Sequence, residues 1–278
     1  MLSYQHGYHA GNFADVIKHF TLTRILEYLK LKEKPFLYYE THAGRGLYDL
    51  TSKEAAKTAE AQLGIKALWE KQNELSALFL PYLKTIQHYN PLGKLRYYPG
   101  SPLFANHLSR DDDRIYCCEL HPREYQALNA LLDLNSDRKI FFNHSDGLTQ
   151  LKALMPPPER RGLIFIDPSY EIKSDYKTIP DYVADAYKRF SSGIYCVWYP
   201  IVDKKWTQQL LNKLNQGVSG EKLNVEFYFN PEISTGMTGC GLWIANPPFV
   251  LYEELKKALP QLKNSLNDGK SSFVITGK

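Results

Sequence analysis

The sequence predicts an α/β domain built on a mainly parallel sheet. Three observations carry this expectation. From residue 114 onward, short apolar runs alternate with segments of helical period, the order that parallel strands joined by helical crossovers produce. The chain has 278 residues, 44% of them hydrophobic, enough to bury a full core. The apolar runs end in acidic residues or glycines, and ligands of open α/β sheets collect at those ends.

Taken in order, Asn12 is placed to cap a helix over about Phe13 to Leu31. Val16, Ile17, Phe20, Leu22, Ile25, Leu26 and Leu29 fall mostly on one face, and Asp15 sits in the favourable first turn. "PFLYYE" (Pro35 to Glu40) reads as a buried strand and "THAGRGLYDL" as a turn with two glycines. Residues 53 to 90 are rich in Ala, Leu, Lys and Glu at helical spacing, with no strand candidate before "KLRYYPGSP". A helical subdomain over 51–95, inserted into a main domain of 1–50 and 96–278, is therefore expected.

Beyond the insertion come strand 114–120, a helix from about Pro122 to Leu134, strand 139–147, a short helix to about Leu154, and the run "LIFIDPSY" (Leu163 to Tyr170). A helix near Asp181 to Ser191 leads to strand 193–200. A helix near Lys204 to Leu214 then precedes strands 222–230 and 240–249.

Composition excludes little but excludes it firmly. Lys and Arg exceed Asp and Glu by 34 to 30, a surplus that permits a nucleic-acid partner without requiring one. No apolar run reaches the roughly 18 to 20 residues that span a bilayer, and "MLSYQHGYHAGNF" lacks the features of a signal peptide, so a cytoplasmic protein with no membrane partner is expected. Cys117, Cys118, Cys196 and Cys240 show no zinc or disulfide spacing and read as reduced core residues. His6, His9, His19 and His42 lack carboxylates at ligand spacing, so no metal is expected.

The strand ends are more informative. At the end of the first strand, Glu40, His42, Gly44 and Gly46 make a glycine turn that lets backbone approach a ligand closely, yet it is neither a Walker loop nor a full dinucleotide fingerprint. The second strand ends in Glu119, suited to a ribose diol. The third ends at Asp146 and Gly147, where a carboxylate and a backbone N–H could read an adenine edge. The fourth ends at Asp167. Together they describe a pocket for a nucleoside cofactor without a long phosphate tail, and S-adenosylmethionine fits that description.

The corner Asp167 to Tyr170 suits an amino group on a flat ring. Such an amine is a poor nucleophile because its lone pair is delocalised. Asp167 could accept one N–H and the carbonyl of Pro168 the other, with Tyr170 stacked on the base and Asp167 taking the released proton. A rival at Asn246 to Phe249, "NPPF", also follows an apolar strand, but it comes well after the cofactor signals and reads as an edge turn.

"MLSYQHGYHAGNFADVIKH", "THAGRG", "LRYYPGSPL", "ELHP", "ADAYKRF", "WYP" and "NPP" together resemble the RlmJ family, adenine-N6 methyltransferases of 23S ribosomal RNA, over nearly the whole chain. The resemblance implies a class I methyltransferase fold, Rossmann-like with a mostly parallel seven-stranded sheet and an inserted helical subdomain, with S-adenosylmethionine as donor and no metal. It implies cofactor contacts from Lys18, His19, His42, Ser101, Glu119, Asp146, Gly147 and Asp167, with Gly44 in the same pocket, and a substrate contact from Tyr4. The family shows Asp-Pro-Pro-Tyr where this chain has Ser169 in the third place. The acceptor carbonyl belongs to Pro168, which is retained. A monomer is expected.

Two other functions fit parts of the pattern. The same grip would serve a DNA adenine-N6 methyltransferase, although an insertion of about 45 residues is small for sequence recognition. A catalytically silent RNA-binding protein could use Tyr97, Tyr98 and Tyr116 to stack bases.

Overall fold

The computed structural model describes residues 6–132, 139–229, 236–267 and 270–277. Helix α1 (Phe13–Lys30) leads into β1 (Leu37–Glu40) and β2 (Leu47–Asp49). The helical segment that follows holds α2 (Lys53–Thr58), α3 (Ile65–Glu70) and α4 (Leu80–His88), interspersed with short 3-10 turns. Then come β3 (Tyr97–Pro99), α5 (Ser101–Leu108), β4 (Arg114–Glu119), α6 (Pro122–Asn129), β5 (Lys139–His144), α7 (Gly147–Leu154) and β6 (Gly162–Ile166). The last part is α8 (Asp175–Arg189), β7 (Ile194–Ile201), α9 (Lys204–Gly217), β8 (Lys222–Tyr228), β9 (Gly239–Ala245), α10 (Leu251–Asn267) and β10 (Ser272–Gly277).

The main sheet runs β5-β4-β1-β6-β7-β9-β8-β10. The five strands from β5 to β7 are mutually parallel, whereas β9 lies antiparallel between β7 and β8 and β10 pairs antiparallel with β8. The central strands are buried on both faces. Tyr38 faces the cluster that contains α1 and α10, while Leu37 and Tyr39 face the one that contains α8 and α9, as alternation along a doubly covered strand requires. From β1 the chain winds outward through β4 and β5, then returns to β6 on the other side. This reversal opens a crevice at the carboxyl ends of β1 and β6.

The sheet has eight strands among the described residues, not the seven expected. The extra strand is β10, whose residues alternate between half-buried and exposed along an edge and so give a weak sequence signal. Three helices also differ from expectation. The predicted start at Asp181 lies inside α8, which begins at Asp175 because Pro180 is accommodated within it. Neither α5 nor α10 was anticipated. The expected extension of α6 to Leu134 reaches residues 133 and 134, outside the described residues, as does Asn230 at the end of the expected strand 222–230.

Helix α1 covers one face of the sheet. Asn12 caps it as predicted, accepting from the Asp15 N–H at 2.9 Å. At its other end two arginines hold the exit of the helix. Arg161 donates to the carbonyls of Leu29 and Lys34, and Arg110 to those of Lys32, Glu33 and Lys34, while Asp113 binds both Arg110 and the Phe36 N–H.

This helical segment packs on α1. Phe20 stacks on Phe79 with centroids 4.4 Å apart, and Ile65, Leu68, Tyr82 and Ile86 belong to the same apolar cluster as the α1 residues. The strands β2 and β3, on either side of it in sequence, pair antiparallel. Phe20→Ala should therefore loosen α1 and the helical segment together, costing about 3–5 kcal/mol, the range for a large aromatic deleted from a packed core. Urea unfolding that leaves stability within 1 kcal/mol of wild type would show that this contact is not part of the common core.

Candidate functional site

A cavity of about 590 Å³ lies at the crevice, within the roughly 300–1,000 Å³ typical of small-ligand sites. Its walls come from the ends of β1, β4, β5 and β6, from α1, and from the start of α5. Lys18, His19, His42, Gly44, Ser101, Glu119, Asp146, Gly147, Asp167 and Pro168 all line it, so residues spread over 150 positions of sequence meet in one place. Tyr4 lies outside the described residues.

Two glycines let the backbone close around the cavity. A Cβ on Gly147 would lie 2.4 Å from the Thr41 carbonyl oxygen, and Gly44, at φ +62°, has no room for one beside the Tyr48 hydroxyl. The loop after β1 and the start of α7 thus touch through bare backbone. Glu119 is fixed by both oxygens, accepting from the N–H groups of Gly44 and His121 at 2.7 Å each. Asp146 caps α7 with Oδ1 alone, at 2.9 Å from the Leu148 N and 3.2 Å from the Thr149 N.

The chemical corner is built differently from expectation. Asp167 Oδ2 accepts from Lys18 Nζ at 2.6 Å, and the same ammonium reaches Asp15 Oδ1 at 2.8 Å. Asp15 Oδ2 in turn takes the Gly11 N–H and lies 2.8 Å from His6 Nε2. Burial opposes the charge on Lys18, yet the two carboxylates outweigh it and hold its pKa above the ordinary value. Burial likewise works against the Asp15 charge, and His6 and Lys18 overcome it, so that its pKa falls well below the usual range. Sequence reasoning took Asp15 only for a helix-dipole residue. The missed signal is its i,i+3 spacing to Lys18, which puts both side chains on one helix face.

Tyr170 is not placed to stack on a base. It adopts φ +54°, is 7% exposed, packs on Tyr176 and Trp198, and donates to the Trp198 carbonyl at 3.0 Å. With Ser169 before it, the turn carries Tyr170 under the corner, while Ser169, Glu171 and Ile172 face the cavity instead. The rival Asn246 sits elsewhere, its amide donating to the carbonyls of Ser191 and Gly193, at a turn away from the cavity.

The histidines take separate partners. His9 lies 2.7 Å from Glu60, His19 is 2.8 Å from the Tyr98 hydroxyl, and His42 is 2.7 Å from Thr41 Oγ1. Burial lowers the pKa of both His19 and His42, the latter to about 4, so each faces the cavity as a neutral ring near pH 7. Glu40, at the end of β1, stays out of the cavity. It is fully buried, accepts from the Tyr38 hydroxyl at 2.9 Å and is hydrogen-bonded to the Ser101 hydroxyl; burial pushes its pKa up to about 8.

No helix among the described residues is long and apolar enough to cross a membrane. Residues 33–275 match the model of a family described as ribosomal RNA large subunit methyltransferase D, RlmJ. The chain is 43% identical over 267 residues to ribosomal RNA large subunit methyltransferase J of Escherichia coli, covering 96% of this chain and 94% of that protein. It is 42% identical to the protein of the same name from Haemophilus influenzae, covering 99% and 98%. The crystal structure of protein LPL1258 from Legionella pneumophila superposes with a TM-score of 0.92 at 51% identity, over 97% of this chain and 98% of that one.

The Asp15–Lys18 pair generates a prediction about stability. A carboxylate whose pKa is depressed in the folded state stabilises the fold above its unfolded value of about 3.9, and that contribution is lost as pH falls through the folded value. Asp15→Asn should destabilise the fold by about 3 kcal/mol at pH 7, as removal of one partner from a buried pair does, and should flatten the loss of thermal stability below about pH 4. An unchanged acid limb in the melting curves would remove Asp15 from that account.

Proposed function

The chain belongs to the RlmJ family of ribosomal RNA large subunit methyltransferases, and from that premise we propose that it methylates N6 of an adenine in 23S ribosomal RNA, with S-adenosylmethionine as donor. The observation that carries this reading is the position of Asp167 and Pro168 at a cavity whose other walls suit a nucleoside. The fit rests on the chain's own donors and acceptors. Glu119 offers a buried carboxylate already oriented by two backbone N–H groups, as a ribose diol needs. Asp146 with the Gly147 N–H suits an adenine edge, and the missing Cβ atoms of Gly44 and Gly147 let the loop after β1 close on Tyr48 and on the start of α7, which draws the cavity wall together.

S-adenosylmethionine, when bound, supplies an electrophilic methyl group on a sulfonium. His19, His42, Ser101 and Lys18 would hold the remainder of that ligand. Lys18 Nζ holds Asp167 through Oδ2 alone, which leaves Oδ1 to accept from an incoming amine. Asp167 and the carbonyl of Pro168 would take the two N–H bonds of the adenine amine, localising its lone pair, and Asp167 would take the proton the amine loses. Tyr170 supports this corner from beneath through its bond to Trp198 rather than by contact with the base.

The rest of the reading extends the resemblance. Tyr4 would contact the RNA, the segment 51–95 would be an inserted subdomain, and the enzyme would act as a monomer in the cytoplasm. Asp167→Ala is expected to lower kcat by about 10² to 10⁴ with S-adenosylmethionine affinity largely kept, since only the positioned acceptor is removed. The check is methyl transfer from labelled cofactor to a 23S RNA transcript, with mass mapping of the modified nucleotide. Wild-type turnover in that variant, or label on a base other than adenine, would refute the assignment.

A further inference from the structure

Glu40 is a buried acid that the reaction does not use, and its surroundings are unusual. It is fully inaccessible at the carboxyl end of β1, one residue from the cavity wall. Its contacts are the Ser101 hydroxyl, the Tyr38 hydroxyl at 2.9 Å and the Cys117 thiol at 3.7 Å, none of them a cation. The charged and titratable groups around it are Tyr38 on its own strand, Cys117 and Cys118 on β4, Lys18 on α1 and Asp167 after β6. The one cation among these, Lys18, is bonded to Asp15 and Asp167 instead. A carboxylate shut away from solvent with no cation of its own is costly to keep ionised, and burial outweighs the help that the Ser101 and Tyr38 hydroxyls give the charged form.

Ser101 couples this acid to the cavity, because Ser101 lines it and Glu40 does not. A hydroxyl has one hydrogen to give. With Glu40 ionised, the Ser101 O–H must donate to it and only lone pairs face the cavity. With Glu40 protonated, the acid donates to Ser101 Oγ and the serine hydrogen is released toward the ligand. We propose that Glu40 is a positioning residue that keeps its proton, donates it to Ser101, and so presents the Ser101 O–H as a donor to the carboxylate of the cofactor's amino-acid end. This rests on reading the cavity as an S-adenosylmethionine site. It also suits the local charge. Glu119, Asp146 and Asp167 already line the cavity, and a neutral Glu40 beside the neutral rings of His19 and His42 lets an anionic group enter without meeting a further negative charge.

An acid whose folded pKa is raised holds its proton below that value and loses it as pH rises through it, here at about 8. Binding of S-adenosylhomocysteine, followed by calorimetry, should therefore weaken by about tenfold between pH 7 and pH 9 in the wild type, beyond any change due to the ligand's own amine. Glu40→Gln retains an N–H donor that does not titrate, so it should bind within about threefold of wild type at pH 7 and lack that extra loss. Ser101→Ala should bind about tenfold more weakly at pH 7 and also lack it, and 5′-deoxy-5′-(3-aminopropylthio)adenosine, which has no carboxylate, should not sense Glu40 in the wild type. Infrared spectra of the ligand-free protein should show a protonated carboxyl band at pH 6 that disappears above pH 9. Parallel pH curves in wild type and Glu40→Gln, or no such band, would overturn the proposal and leave the cofactor site standing. Should Glu40→Gln fail to fold, Ser101→Ala and the infrared band decide. Failure of the wild type to bind S-adenosylhomocysteine at pH 7 would remove both this inference and the cofactor reading beneath it.

Discussion

The ammonium of Lys18, held between the carboxylates of Asp15 and Asp167, is the interaction on which the site depends. It joins helix α1 to the end of β6 across 149 residues of sequence. Two buried charges and a half-buried third would be costly if any one lacked a partner; as arranged, each carboxylate meets the cation and Asp15 gains a further backbone N–H and His6. The net result is one negative charge at the point where an amine would be gripped. It is held by a cation whose own geometry is fixed by helix α1.

Around that corner the sheet supplies position and the glycines supply proximity. Because β1 sits where the winding reverses, the loops after β1, β4, β5 and β6 all open toward one crevice. Glu119 then does two things at once. It restrains the glycine turn through the Gly44 N–H and starts the loop before α6 through the His121 N–H, so a residue suited to a ligand also organises the wall around it.

Much of this was legible in the sequence because it lay in local patterns. The cap at Asn12, the buried run ending at Glu40 and the acidic ends at Glu119, Asp146 and Asp167 are all statements about a few neighbouring residues. What was not legible required tertiary information. Nothing local distinguishes Asp15 as the counter-ion of Lys18 from Asp15 as a first-turn acid. Tyr170 was expected to face a base because it follows Asp-Pro, but a left-handed backbone at that residue turns the ring the other way, and no pattern in "DPSY" announces it. The final strand β10 was missed for a third reason: an edge strand with one side in water has only a faint alternation to offer. Helix α10, by contrast, has a legible pattern, since Leu251, Leu255, Leu259, Leu262 and Leu266 form a buried stripe at helical spacing.

The arginine pair at the exit of α1 has a mechanical meaning. Arg110 and Arg161 grip carbonyls between Leu29 and Lys34, so that end of the helix is anchored. Eighteen residues of helix make a rod about 27 Å long, with Lys18 roughly 18 Å from the anchored end. A tilt of about 4° about that anchorage would swing the first turn by nearly 2 Å and Lys18 by somewhat over 1 Å, enough to break the 2.6 Å hydrogen bond to Asp167. Leverage of this kind makes the grip on Asp167 sensitive to whatever leans on the chain before Phe13, while the distant anchorage stays still.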